Sequence, residues 1–96
     1  MSRYYRVYVE CTKLTEYELT EIMSIDFGWE DNDEGYDESR GIVYFEGEGN
    51  LNGGISKEGA HEQIKEAILK VNKDSKVKTT WTYLEDLPTN SYGDLE

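Results

Sequence analysis

Apolar and polar positions alternate along the first segment of the chain. Tyr5, Val7, Val9 and Cys11 fall on one side, and Tyr4, Arg6, Tyr8 and Glu10 on the other. A period of two in β-branched and aromatic residues predicts a strand with one buried face. The spacing then becomes helical. Thr15 followed by Glu18 forms a capping box, Leu14 and Leu19 a hydrophobic staple, and Leu19, Ile22 and Met23 a buried stripe. This helix is expected to stop near Ile25, before Gly28. Residues 29–38 fit either an edge strand or a loop. Gly41 to Gly47 reads as a strand, with Val43 and Phe45 on one face and Ile42 and Tyr44 on the other. Four glycines between Gly47 and Gly54 predict a pliable connection. Ser56 caps a second helix in which Ala60, Ile64, Ala67, Ile68 and Val71 recur at helical spacing, with Glu62/Lys65 and Glu66/Lys70 on its wet side. A last strand runs from Lys76 to Leu84, and Pro88 begins a polar tail.

Strand, helix, strand, strand, helix, strand predicts an α+β domain. The order resembles the ferredoxin-like βαββαβ pattern, a four-stranded antiparallel sheet with two helices on one face. One domain is expected over 1–94 with a short polar C-terminal tail, and Leu95-Glu96 reads as the remnant of a tag. Leu, Ile, Val and Phe number 20 of the 96 residues, so the eight tyrosines and two tryptophans must supply much of the core. No run of apolar residues is long enough to span a membrane, and Met1-Ser2-Arg3-Tyr4 does not begin a signal peptide. A single cysteine, Cys11, rules out an internal disulfide and fits a reducing, cytoplasmic setting.

Charge adds the next constraint. The formal charge is −11, and residues 30–55 hold eight acids against one base. Residues 56–84 lean basic, with four acids and six bases, while 85–96 carry four acids and no base. Such crowding keeps an edge strand soluble and unpaired. The sharper reading is a surface that imitates a phosphate backbone and occupies a basic groove on a nucleic-acid-binding protein.

Candidate chemistry thins out quickly. An EF-hand loop starting at Glu30 puts Gly35 at position six but Gly41 where the bidentate Glu belongs, which leaves only weak, non-specific cation binding. Gly47 to Gly54 matches neither G-x-G-x-x-G nor a P-loop, and Glu46 and Glu48 would repel an anion. Cys11 is expected on a buried face and His61 at a boundary or exposed position, so they make a poor nucleophilic pair. No metal, cofactor or catalytic set is expected, and the chain reads as a non-enzyme. Tyr4, Tyr8 and Tyr44 are expected on the sheet face opposite the helices, which looks like the stacking platform of RNA-recognition modules. The signature of those modules is absent, since the third strand reads Arg40-Gly41-Ile42-Val43-Tyr44-Phe45.

The leading expectation is a non-catalytic, acidic protein-binding module in the cytoplasm whose partner has a basic surface. Its sharpest form is a nucleic-acid mimic of the kind phages and mobile elements use against host defence, anti-CRISPR proteins among them. Size, acidity and tyrosine content suggest that class. Glu30, Asp31, Asp33, Glu34, Asp37 and Glu38 are expected to meet lysines and arginines, with Tyr36 and Trp29 as anchors. The alternatives are an RNA or single-strand binder using the tyrosine face, and a self-assembling structural accessory protein, a homo-oligomer.

Overall fold

A computed structural model describes residues 3–51, 56–83 and 89–93, with the side chains of residues 3, 4, 51, 83, 89 and 90 outside that description. The elements run β1 (Arg3–Thr12), α1 (Glu16–Glu21), a π-helical turn (Ile22–Asp26), β2 (Glu30–Asp37), β3 (Ile42–Leu51), α2 (Lys57–Val71), β4 (Val77–Tyr83) and β5 (Thr89–Gly93). All five strands join one sheet in the order β2-β3-β1-β4-β5, every neighbouring pair antiparallel.

The expected four-stranded ferredoxin-like arrangement is therefore corrected: the sheet has five strands. The fifth lies in what read as a polar tail. Thr-Asn-Ser-Tyr-Gly carries no apolar alternation: β5 is an edge strand, and among its described side chains Tyr92 packs against the core. Two other expectations change. β3 continues through Leu51, so its glycines at 47 and 49 belong to the strand and not to a connection. The first helical segment ends at Asp26, beside the expected Ile25, but only its first six residues are α-helical before it widens into the π turn, closed by Phe27 N–H to the Ile22 carbonyl at 3.2 Å.

The sheet is two-faced because side chains alternate along each strand. Tyr5, Val7, Val9 and Cys11 of β1 join Val43 and Phe45 of β3 and Val77 and Trp81 of β4 beneath the helices. α1 and the π turn supply Leu19, Ile22 and Met23, and α2 supplies Ala60, Ile64 and Ile68. Thr15 caps α1 as the sequence implies: its hydroxyl accepts from Glu18 N–H at 3.1 Å, and Glu18 returns a bond to Thr15 N–H at 2.9 Å. Trp81 stands at the centre, fully buried, edge-on to Tyr5 and to Trp29 with ring centroids 6.3 and 5.6 Å away. Among the described residues, no helix is long and apolar enough to cross a membrane.

Candidate functional site: an acidic hairpin

Residues 30–37 resolve the choice between loop and strand: they form β2, an edge strand hydrogen-bonded only to β3. The hairpin between them closes on Asp37. Its carboxylate accepts from the Ser39 N–H at 3.1 Å and hydroxyl at 2.7 Å, and its carbonyl accepts from Gly41 N–H at 2.8 Å. Gly41 has φ 66, a left-handed conformation that a side chain would disfavour. The Ser39 hydroxyl, and after it the Ser39 N–H, hold the Asp37 carboxyl below its ordinary pKa, so Asp37 stays ionised.

Acids line both faces of β2. A register shift between Asp31 and Asp33 inserts Asn32 as a bulge. Glu30 then lies opposite Glu48, and Asp33 opposite Glu46, on the helix-free face. Like charges directly opposite in a ladder are destabilising. Glu48 is relieved by Arg6 at 2.7 Å and Glu10 by Arg40 at 3.0 Å, but among the described residues no ion pair reaches an acid of β2. Glu34, on the helix side, accepts from the Thr20 hydroxyl.

Asp31 and Glu34 shift each other's ionisation in opposite directions. A hydrogen bond to Glu34, then partial burial and the charges of Glu34 and Asp33, push Asp31 up to about 6. The same bond, helped by Thr20, lowers Glu34. The linkage runs in opposite senses for the two groups. The Asp31 contribution to stability is complete below its unfolded value and fades as pH rises through about 6. The Glu34 contribution is present above its unfolded value and is lost as pH falls through its lowered folded one. Carboxyl-carbon NMR is expected to show Asp31 titrating near 6. In Glu34→Gln its midpoint should return to the usual aspartate range, and an unmoved midpoint would refute Glu34 as the cause of the shift.

An open depression of about 750 Å³ at the turn end is lined by Glu16, Tyr36, Asp37, Glu38, Ser39 and Tyr44. It gathers three residues expected in the partner site (Tyr36, Asp37 and Glu38) with Tyr44 of the sheet face. Glu16, at the start of α1, was not foreseen there, because nothing in the sequence places that helix beside the hairpin. Tyr36 is 52% exposed and available, whereas Trp29 is 8% exposed and packs on Trp81, so it serves the core and not a surface contact. Tyr8 and Tyr44 do meet on the helix-free face, centroids 5.9 Å apart and tilted by 32°, while the Tyr4 side chain lies outside the described residues.

The remaining chemistry is inert or structural. Burial pushes the Cys11 thiol up to about 12, far from a working nucleophile. His61 is buried, not exposed, and belongs to a packing network around Thr79. Among the described residues no group of three His, Cys, Asp or Glu side chains is placed to hold a metal. No protein-family model, curated protein or solved structure matches the chain.

Proposed function

We propose that the protein is a non-catalytic module that binds a partner with a basic surface through the β2–β3 hairpin. The observation that carries this reading is the row of acids on β2 that no ion pair reaches among the described residues, set against further acids of β3 across the ladder. Solubility needs charge, but it does not need like charges placed directly opposite one another. A lysine- or arginine-bearing surface would remove that repulsion on binding. The depression at the turn suits one such side chain: Asp37, Glu38 and Glu16 offer carboxylates, and Tyr36 and Tyr44 offer rings for a cation.

The sharpest version is mimicry of a phosphate backbone, acting in a reducing cytoplasm to occlude a nucleic-acid-binding protein, as anti-CRISPR and related anti-defence proteins do. Small size and a charge of −11 support it. The test is capture of partners from nuclease-treated lysate by the protein and by a variant with Glu30, Asp31, Asp33, Glu34, Asp37 and Glu38 changed to Asn or Gln. Capture of a nucleic-acid-binding protein that added nucleic acid displaces, and that the variant fails to hold, is the expected result. Equal capture by both would overturn the reading.

The tyrosine face allows a second reading, as a single-strand binder, because Tyr8 and Tyr44 lie together there. Their rings lean on each other, and burial, followed by the charges of Glu10 and Glu46, raises the Tyr8 hydroxyl pKa. Phosphates would meet the same carboxylates. Single-stranded oligonucleotides are therefore expected not to bind even at low salt, as read by fluorescence anisotropy. A clear shift would move the function to the sheet face.

A further inference from the structure

The fifth strand is fixed to the sheet beside a buried histidine. β5 pairs with β4 alone, from Lys78 opposite Gly93 to Thr82 opposite Thr89. Tyr92 packs against the core with its ring over the His61 imidazole, centroids 5.9 Å apart and tilted by 34°. Gly93, at φ 89, runs so close that a Cβ there would collide with the Val77 carbonyl and come within 3.1 Å of His61 Cε1. His61 is 4% exposed, and its Nδ1 lies 2.7 Å from the Thr79 hydroxyl, which also accepts the Trp81 indole N–H at 2.9 Å. One imidazole thus touches β4 and β5 from its place on α2.

We propose that His61 is a pH-sensitive latch for β5: its protonation in mild acid loosens β5 from β4 and uncovers the β4 edge. A neutral ring suits the site. Thr79, already accepting from Trp81, can give its own hydrogen to Nδ1. An imidazolium turns Nδ1 into a donor, so the Thr79 hydroxyl must accept twice and find a new acceptor for its hydrogen.

Among the described residues, the charges around the ring do not rescue the cation. On α2, Glu62 lies 3.8 Å from Nε2 with its side chain 62% exposed, Glu58 also favours the charged form, and Lys65 opposes it. β4 presents the Thr79 hydroxyl and the Trp81 N–H, and β5 the Tyr92 ring, none of them anionic. Burial outweighs the two carboxylates and lowers the His61 pKa below its ordinary value. The contribution to stability is complete above the unfolded value and declines as pH falls through it towards the lowered folded value. A charged His61 seeks water, and β5, short and held by one neighbour, is the covering element that opens at least cost.

Amide hydrogen exchange of the full chain at about pH 7.5 and about pH 5, corrected for intrinsic rates, tests the latch. Protection of the β5 amides is expected to fall roughly five- to tenfold in acid while that of β1 and β3 holds. In His61→Phe, which keeps a ring for Tyr92, the β5 protection should not depend on pH. A pH dependence that persists in His61→Phe, or a loss shared equally by β1, would overturn the proposal. Should that variant not fold, Tyr92→Leu decides through imidazole NMR. Freeing β5 must raise the His61 midpoint towards its ordinary value, and an unmoved midpoint would overturn the proposal as firmly.

Discussion

Trp81→Ala is expected to cost roughly 3–5 kcal/mol, the largest loss from any single truncation in this domain. Trp81 has no exposed surface and meets Tyr5 on β1, Trp29 at the entrance to β2, and the Thr79 hydroxyl through its N–H. The alanine would leave a cavity at the centre of a sheet that has few other large side chains to close it. Native domains hold only about 5–15 kcal/mol in total, so the variant should unfold at a much lower urea concentration or fail to fold at 25 °C. Trp81→Phe keeps most of the contact and removes the donor to Thr79, which should cost about 1–2 kcal/mol. Circular dichroism against urea measures both. A loss below about 1 kcal/mol for Trp81→Ala would show that the centre of the core lies elsewhere.

The same burial explains why the sequence misled at Trp29. A tryptophan beside an acidic run looks like an interface anchor, because the run is wet and tryptophan favours interfaces. What the local pattern could not reveal is the π turn, which carries the chain so that Trp29 N–H bonds the Met23 carbonyl at 2.9 Å and the indole turns inward to Trp81. Features set by near neighbours were legible: the Thr15–Glu18 box, the alternation of Val7 and Val9, the Ser56 cap of α2. Features set by distant contacts were not. β5 is a strand because β4 offers it an edge and His61 a surface for Tyr92, and no alternation in Thr89–Gly93 signals either. His61 likewise reads as a boundary residue on a helix until Thr79 and β5 cover it. The acidic run lay between these cases. Its charge was plain in the sequence, but that Asp33 opposes Glu46 follows only from the hairpin register, and that Glu30 in place of Asp31 opposes Glu48 only from the bulge at Asn32.

Neutralising those acids is expected to move binding and stability in opposite directions. The change of Glu30, Asp31, Asp33, Glu34, Asp37 and Glu38 to their amides preserves side-chain shape and an oxygen acceptor at each position. With Asp37→Asn the amide oxygen can still take the Ser39 bonds that close the turn, and with Glu34→Gln it can still accept from Thr20. What disappears is the facing of like charges at Asp33/Glu46 and at Glu30/Glu48, where Arg6 already relieves Glu48, at the expense of the charge in the Asp37 and Glu34 bonds. Thermal unfolding should show the variant unchanged or more stable, by roughly 0.2–1 kcal/mol for each relieved pair. Binding to a basic partner should weaken by roughly 1–6 kcal/mol if each lost contact is worth as much as an exposed ion pair. The wild-type affinity should itself fall steeply with salt, and the affinity of the variant much less. A variant that gains stability and keeps its partner would show that the acids only burden the fold. If it gains stability and loses its partner, the misfit across the ladder is a cost retained for recognition. That opposition of sign separates the two accounts, which a binding measurement alone cannot do, since a misfolded hairpin would also release its partner.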